Sequence, residues 1–302
     1  MNKIIVTGGA GFIGSHLVDA LIKKKYEVIV IDNLSSGKIS NLNASAKFFQ
    51  YDLKEYAKLE DIFKDNEIEA IFHLAAQVSV MKSINNPAHD ANENIINTLN
   101  LIDLCKKYDV KKFICASSAA VYGNYQFLPI NENIQLKPIS PYGISKLTME
   151  LYVENSGLDY TVFRFSNVYG SRQYSSAESG VISIFCNNLI NNKNHTIFGN
   201  GEQTRDFIFV GDVVEVIINS YEKKITKKTM NLSTNTSISI NQIVNLLNQI
   251  FNRKLTIDYL PEKLGDIFES RLDNKQILEF KLINKFMLIS EGLKQTIELY
   301  DY

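Results

Sequence analysis

The chain has 302 residues, 45% of them hydrophobic and 22% charged, enough for one large domain or two modest ones around real cores. Its 32 Lys and Arg offset 33 Asp and Glu to a net charge of -1, so there is no basic excess to hold nucleic acid or an anionic membrane. Three scattered cysteines, Cys105, Cys115 and Cys186, point to a reducing compartment, read here as cytoplasm, and His16, His73, His89 and His195 lack metal-ligand spacing, so no metal is expected.

From residue 3 to about 165 short apolar runs alternate with amphipathic segments, the pattern of parallel strands buried on both faces and their crossover helices. Strands are predicted at Lys3 to Thr7, Glu27 to Asp32, Lys47 to Tyr51, Glu69 to Leu74, Lys112 to Ser117 and Tyr160 to Phe165. Between them Ile13, Leu17 and Leu21, and Ile95, Leu99 and Ile102, each make one apolar helix face. The fold class is therefore α/β, a doubly wound parallel (Rossmann) sheet over residues 1 to 166. After Phe165 the rhythm changes: a turn-rich stretch at 171 to 179, a helix, a short strand at Thr196 to Phe198, and another from Arg205 to Val210. Ser239 and Gln242 form a capping box before Ile243, Leu246, Leu247 and Ile250, and Glu291 to Tyr300 is predicted as a terminal helix. Residues 167 to 302 are expected to form a smaller, partly interleaved substrate-binding α/β domain. No apolar stretch reaches the roughly 18 residues of a membrane helix, and the glycine-rich turn at Gly8 comes where a signal peptide would need a longer apolar run, so none is expected.

Directly after the first strand, "TGGAGFIGSHL" places Gly8, Gly11 and Gly14 at the entrance to a helix. Gly8 permits the tight turn, Gly11 lets backbone amides approach a pyrophosphate, and Gly14 lets the helix pack closely, while the helix N-terminus favours negative charge. Asp32 ends the second strand, where a carboxylate accepts from both ribose hydroxyls and repels a 2'-phosphate; NAD is the expected cofactor. Asp52, after the third strand, either accepts from the adenine amino group or caps a surface helix.

Tyr142 and Lys146 in "SPYGISKL" are one helical turn apart, with Pro141 suited to the first turn. An ammonium there is expected to lower the phenol's pKa and make it a base for an alcohol proton. Ser118, closing the fifth strand in "CASSAAVYG", is placed to hydrogen-bond the same alcohol and the phenol. A serine at the carboxyl end of a parallel strand lies where such sheets bind ligands.

With these motifs, and with "IDNLSSGK", "FHLAAQVSV", the Asn94 region, "FRFSNVYGSRQ", "IFGNGEQTRDFIFV" and "LGDIFES", the chain resembles the extended short-chain dehydrogenase/reductases, and among them the UDP-glucose 4-epimerases and related nucleotide-sugar epimerases, nearly end to end. The resemblance implies a cofactor site of Gly8, Gly11, Phe12, Ile13, Gly14, Asp32, Asn33, Ser35, Ser36, Gly37, Asp52 and Leu53, with Leu74, Ala75, Ala76, Gln77 and Asn94 toward the nicotinamide, beside Tyr142 and Lys146. It implies substrate contacts from Ser79, Ser118, Tyr142, Asn167, Val181, Phe198, Arg205, Lys263 and Ser270. Lys263 stands where an arginine commonly grips the diphosphate; it keeps the charge and loses the bidentate fork. A homodimer through helices at about 90 to 107 and 141 to 156 is also implied.

The trio and NAD license oxidation of a sugar alcohol, and neighbouring residues decide the fate of the resulting ketone. Related dehydratases carry an Asp-Glu pair directly after the serine or threonine; here Ala119 and Ala120 stand there, and methyl groups cannot shuttle protons. Epimerisation at C4 needs neither: transient oxidation by bound NAD, turnover of the keto sugar and reduction on the other face invert the centre. Ser270 falls where a bulky tyrosine narrows the pocket in strict UDP-glucose epimerases. It either makes room for UDP-GlcNAc and UDP-GalNAc beside UDP-glucose and UDP-galactose, or merely suits a loop. The competing readings are an NAD(P)-dependent nucleotide-sugar dehydratase or reductase, and a non-catalytic NAD-binding regulator of the same fold.

Overall fold

The computed structural model describes residues 3–174, 180–252, 256–262 and 267–298. Its strands are β1 (Lys3–Thr7), β2 (Glu27–Ile31), β3 (Lys47–Phe49), β4 (Ile68–His73), β5 (Lys112–Ser118), β6 (Tyr160–Phe165), β7 (Asn167–Tyr169), β8 (His195–Phe198), β9 (Thr204–Arg205), β10 (Phe207–Phe209), β11 (Lys228–Leu232), β12 (Ile238–Ser239) and β13 (Ile257–Leu260). The helices are α1 (Phe12–Lys23), α2 (Tyr56–Lys64), α3 (Val80–Asn85), α4 (Pro87–Ala91), α5 (Asn97–Lys107), α6 (Pro141–Glu154), α7 (Val181–Ile190), α8 (Val210–Glu222), α9 (Ile240–Phe251), α10 (Lys275–Glu279) and α11 (Ile289–Glu298).

Seven strands form one parallel sheet in the order β11-β6-β5-β4-β1-β2-β3. The strand order reverses beside β1, which places a ligand crevice at the carboxyl ends of β1 and β4. The expected six strands are present, and β11 is a seventh that the sequence pattern does not reveal. Ile4, Ile5 and Val6 of β1 are fully buried, as a central strand covered on both faces requires.

The chain divides into two compact units: residues 1–124, 134–164 and 214–230 form the first, and 125–133, 165–213 and 231–302 the second. The first holds the Rossmann sheet and its crossover helices. The second has its own core, in which Ile182, Phe185 and Leu189 of α7 meet Ile243, Val244 and Leu247 of α9. The capping box is present: Ser239 Oγ accepts from Gln242 N at 3.2 Å, and Gln242 Oε1 accepts from Ser239 N at 2.8 Å.

The single strand expected from Arg205 to Val210 is instead two. Arg205 pairs antiparallel with Ile238, whereas Phe207 pairs parallel with Asn167, so the chain changes partners at Asp206. The terminal helix runs from Ile289 to Glu298 rather than from Glu291, and the last part of the turn-rich stretch, 175–179, lies outside the described residues. Among the described residues no helix is long and apolar enough to cross a membrane.

Candidate active site

Gly8 follows β1 with φ +71°, and its carbonyl oxygen accepts from Gly11 N at 3.0 Å, closing the turn that aims the start of α1. A Cβ on Gly14 would lie 2.1 Å from Gly8 O, and one on Gly8 would lie 2.7 Å from Ala75 N, so the backbone approaches here exclude side chains. Phe12 and Ile13 form the first turn of α1 and are half-buried.

Asp32 is buried directly after β2 and braces both sides of this turn: Oδ2 accepts from Ala10 N at 3.0 Å and Oδ1 from Leu34 N at 2.8 Å. Each oxygen keeps lone-pair capacity for a further donor. Asn33 joins Asp52 to the same cluster, its Nδ2 donating to Asp52 Oδ2 at 3.1 Å and its Oδ1 accepting from Ser35 N at 2.9 Å. Burial works against the Asp52 carboxylate, but hydrogen bonds from Lys54 and Asn33 hold it below its ordinary range. Ser35 and Ser36 are exposed, and Gly37 abuts Ala10 so closely that a Cβ would lie 2.9 Å from it. Leu53 is buried in the hydrophobic core of the first unit, and its carbonyl accepts from Asn100 Nδ2 at 3.1 Å.

After β4, residues Leu74 to Gln77 are half-buried. Asn94, in a π-helical turn at Asn92–Ile96, brackets this segment: its Oδ1 accepts from Gln77 N and its Nδ2 donates to Gln77 O, both at 3.0 Å. Ser79 is buried and caps α3, accepting from Lys82 N at 3.0 Å.

Ser118 ends β5, its Oγ accepting from Ala120 N at 3.1 Å, and its hydroxyl is close enough to the Tyr142 phenol to favour the phenolate. Ser140 caps α6 by accepting from Gly143 N at 3.1 Å, with Pro141 in the first turn, so Tyr142 is fixed at the helix start. Lys146 Nζ donates to Ala116 O at 3.0 Å, tying α6 to the strand that carries Ser118. Tyr142 and Lys146 thus lie on successive turns of α6 beside the strand that ends in Ser118, but their acidities differ from the expectation. Burial pushes Tyr142 up to about 12 and pulls Lys146 down to about 8. The expected lowering of the phenol by Lys146 is not seen: the ammonium donates to the Ala116 carbonyl, and burial raises Tyr142.

The second unit contains a cavity of about 460 Å³ whose lining includes Asn167, Val181, Phe198 and Arg205. Asn167 N donates to Asp206 O at 2.9 Å, and Gln203 Nε2 donates to Phe198 O at 2.7 Å. Ser270 does not line this cavity; its N–H donates to Thr204 O at 3.3 Å, beside Arg205 on β9. Lys263 lies outside the described residues. Sequence reasoning missed two buried acids. Asp206 accepts from Thr234 N and Leu272 N, holding two segments near Arg205 and Ser270, and burial raises it to about 6. Asp90 accepts from Gln77 and Asn94; its position one turn before Asn94 was the available signal.

A strand, a left-handed glycine turn, a helix entrance too tight for a Cβ and an acid directly after the next strand define a dinucleotide-binding α/β protein, here with Ser118 at the end of β5 and Tyr142 and Lys146 on α6. The chain belongs to the NAD dependent epimerase/dehydratase family, whose model matches residues 4–233, and its cofactor is NAD. It is 33% identical over 308 residues to the UDP-glucose 4-epimerase of Mycolicibacterium smegmatis, covering 99% of this chain and 98% of that one. Among solved structures, the UDP-glucose 4-epimerase of Thermotoga maritima with UDP-glucose superimposes with a TM-score of 0.95 at 42% identity, covering 99% and 98% of the two chains. The UDP-N-acetylglucosamine 4-epimerase of Methanobrevibacter ruminantium, in complex with UDP-N-acetylmuramic acid, gives 0.94 at 36% identity with the same coverage.

Proposed function

We propose that this protein is a UDP-sugar 4-epimerase that interconverts UDP-glucose and UDP-galactose and also accepts UDP-GlcNAc and UDP-GalNAc. The observation that carries the reading is the tie of α6 to β5: Lys146 Nζ donates to Ala116 O at 3.0 Å, which brings Tyr142 and Lys146 to the strand end that bears Ser118, while Ala119 and Ala120 occupy the turn behind it. That arrangement provides a base for an alcohol proton and no acid or base for elimination. The relatives named as UDP-glucose and UDP-N-acetylglucosamine epimerases support both substrate pairs.

Gly8, Gly11, Gly14 and Asp32 hold the cofactor's phosphates and ribose, Asn33, Ser35, Ser36, Gly37 and Asp52 its adenosine end, and Ala75, Gln77 and Asn94 flank the nicotinamide. NAD, when bound, supplies the transient acceptor for the electron pair of the C4–H bond and a positive ring charge that offsets the burial of the Tyr142 phenol. Tyr142 takes the proton of the 4-hydroxyl and returns it to the inverted alcohol, so no proton is gained or lost over the cycle. Ser118 donates to the phenol oxygen and steadies the reacting hydroxyl. Asn167, Arg205 and Phe198 of the second unit, with Val181, anchor the nucleotide while the sugar turns. Ser79 and Ser270 are assigned to the sugar, and Lys263 to the diphosphate.

Incubating the purified protein with each UDP-sugar and separating the products tests the reading. The expected result is C4-epimer formation from both pairs with no net cofactor consumed. A dehydrated 4-keto product, or no conversion of any of the four, overturns it; conversion of the glucose pair alone removes the wide-pocket element.

The same reading includes a homodimer. Met81 and Ile84 of α3 and Ile144, Leu151 and Tyr152 of α6 are exposed, whereas Leu101, Ile102, Leu104 and Cys105 of α5 are buried, so the open apolar face favours α3 with α6. Sedimentation at micromolar concentration should give a dimer, and Leu151→Glu a monomer. The three cysteines, all buried and unpaired, support a cytoplasmic setting.

A further inference from the structure

Asp90 lies one turn before Asn94 and is 1% exposed. Its Oδ1 accepts from Gln77 Nε2 at 2.6 Å and Asn94 Nδ2 at 3.1 Å, while its buried Oδ2 has no hydrogen-bond partner among the described residues. Asn94 Nδ2 also donates to Ser145 Oγ at 3.0 Å, and Ser145 Oγ donates to Tyr142 O at 3.0 Å. A short chain of hydrogen bonds thus joins the carboxylate to the turn of α6 that bears Tyr142 and Lys146, and α4 packs against α6.

A buried carboxylate without an ionic partner is costly, and such groups gather where charge serves chemistry. Three groups able to carry negative charge face Lys146: Cys115 from β5, Asp90 from α4 and Glu150 from α6 itself. Burial pushes the Cys115 thiol up to about 12, so it is neutral at ordinary pH, and Glu150 is engaged by the guanidinium of Arg164. His73 of β4, also close to Lys146, is buried and pulled down to about 3, hence neutral. Asp90 is also the acidic group that acts on Tyr142, raising it.

We propose that Asp90 is a positioning residue for the trio: through Asn94 and Ser145 it braces the first turns of α6, and its carboxylate is the counter-charge of the Lys146 ammonium. The directions agree, since Asp90 opposes the loss of the Lys146 proton and raises Tyr142. The inference rests on the reading that this trio performs the chemistry.

Asp90→Asn is a clean test, because the retained Oδ1 can still accept from Gln77 and Asn94 and the replaced Oδ2 made no bond. Lys146 is titrated in the holoprotein by NMR of ¹³Cε-labelled lysine, assigned with Lys146→Arg. The expected result is a midpoint lowered by about one pH unit, together with both limbs of the kcat/KM profile for UDP-galactose displaced toward acid. An unmoved midpoint, or a profile that falls in height without moving, overturns the proposal and leaves Asp90 a packing residue. Asp90→Ser, smaller and also neutral, gives the same reading if the amide variant does not fold. The NMR midpoint requires no sugar to turn over, so it separates failure of this inference from failure of the epimerase reading.

Discussion

Arg164 of β6 grips Glu150 of α6 in a buried fork: Nη2 donates to Oε2 at 2.7 Å and Nε lies 3.0 and 3.2 Å from the two oxygens. The remaining Nη1 donates to the Tyr122 hydroxyl at 3.0 Å, and the carboxylate and phenol hold the guanidinium charged against the pull of burial. The fork fixes α6 to the sheet one turn beyond Lys146. Removing one partner leaves the other charge buried and unpaired, so Glu150→Ala should cost about 3 to 5 kcal/mol. Urea unfolding checks this through a lowered midpoint; an unchanged midpoint would show that the pair contributes nothing.

Gly14→Val should abolish cofactor retention. Even a single Cβ at this position would sit 2.1 Å from the Gly8 carbonyl, and that carbonyl closes the glycine turn by accepting from Gly11 N. Measuring NAD released from the denatured variant checks it: the expected content is near zero, against a stoichiometric amount in the parent protein.

His73 gives a pH dependence of stability. Its Nδ1 bonds Thr7 Oγ1 at 2.8 Å and its Nε2 bonds Thr98 Oγ1 at 3.0 Å, and burial, with a smaller effect of Lys146, lowers it from 6.5 to about 3. Between those values the unfolded chain binds a proton that the folded chain does not. The stabilisation is therefore complete above pH 6.5 and is lost as pH falls toward 3, at about 1.4 kcal/mol per pH unit. His73→Gln, neutral throughout, should flatten the dependence by one proton in that window. A parallel pair of curves for parent and variant would contradict the assignment.

The parts legible in the sequence are those where one physical cause dominates locally. β1, β2 and β4 are covered on both faces and so read as unbroken apolar runs, and the Tyr142–Lys146 spacing needed only helix periodicity. β11 was not legible because "KTMNL" mixes polar with apolar residues; Asn231 is buried there only because Ile130 O and Asp273 O accept from its amide. The break at Asp206 likewise depends on a distant partner, Thr234. Asp90 escaped for the same reason, since its link to Gln77 crosses from α4 to the segment after β4. The acidities of Tyr142 and Lys146 turn on burial, which spacing does not report.

The most direct test of the account replaces Tyr142 with Phe, which removes the phenol oxygen and keeps the ring that packs at the start of α6. The account predicts that the variant retains bound NAD and loses C4 interconversion of UDP-galactose by a factor of about 10² to 10⁴. Interconversion at the parent rate, in a variant with the same cofactor content, would contradict it.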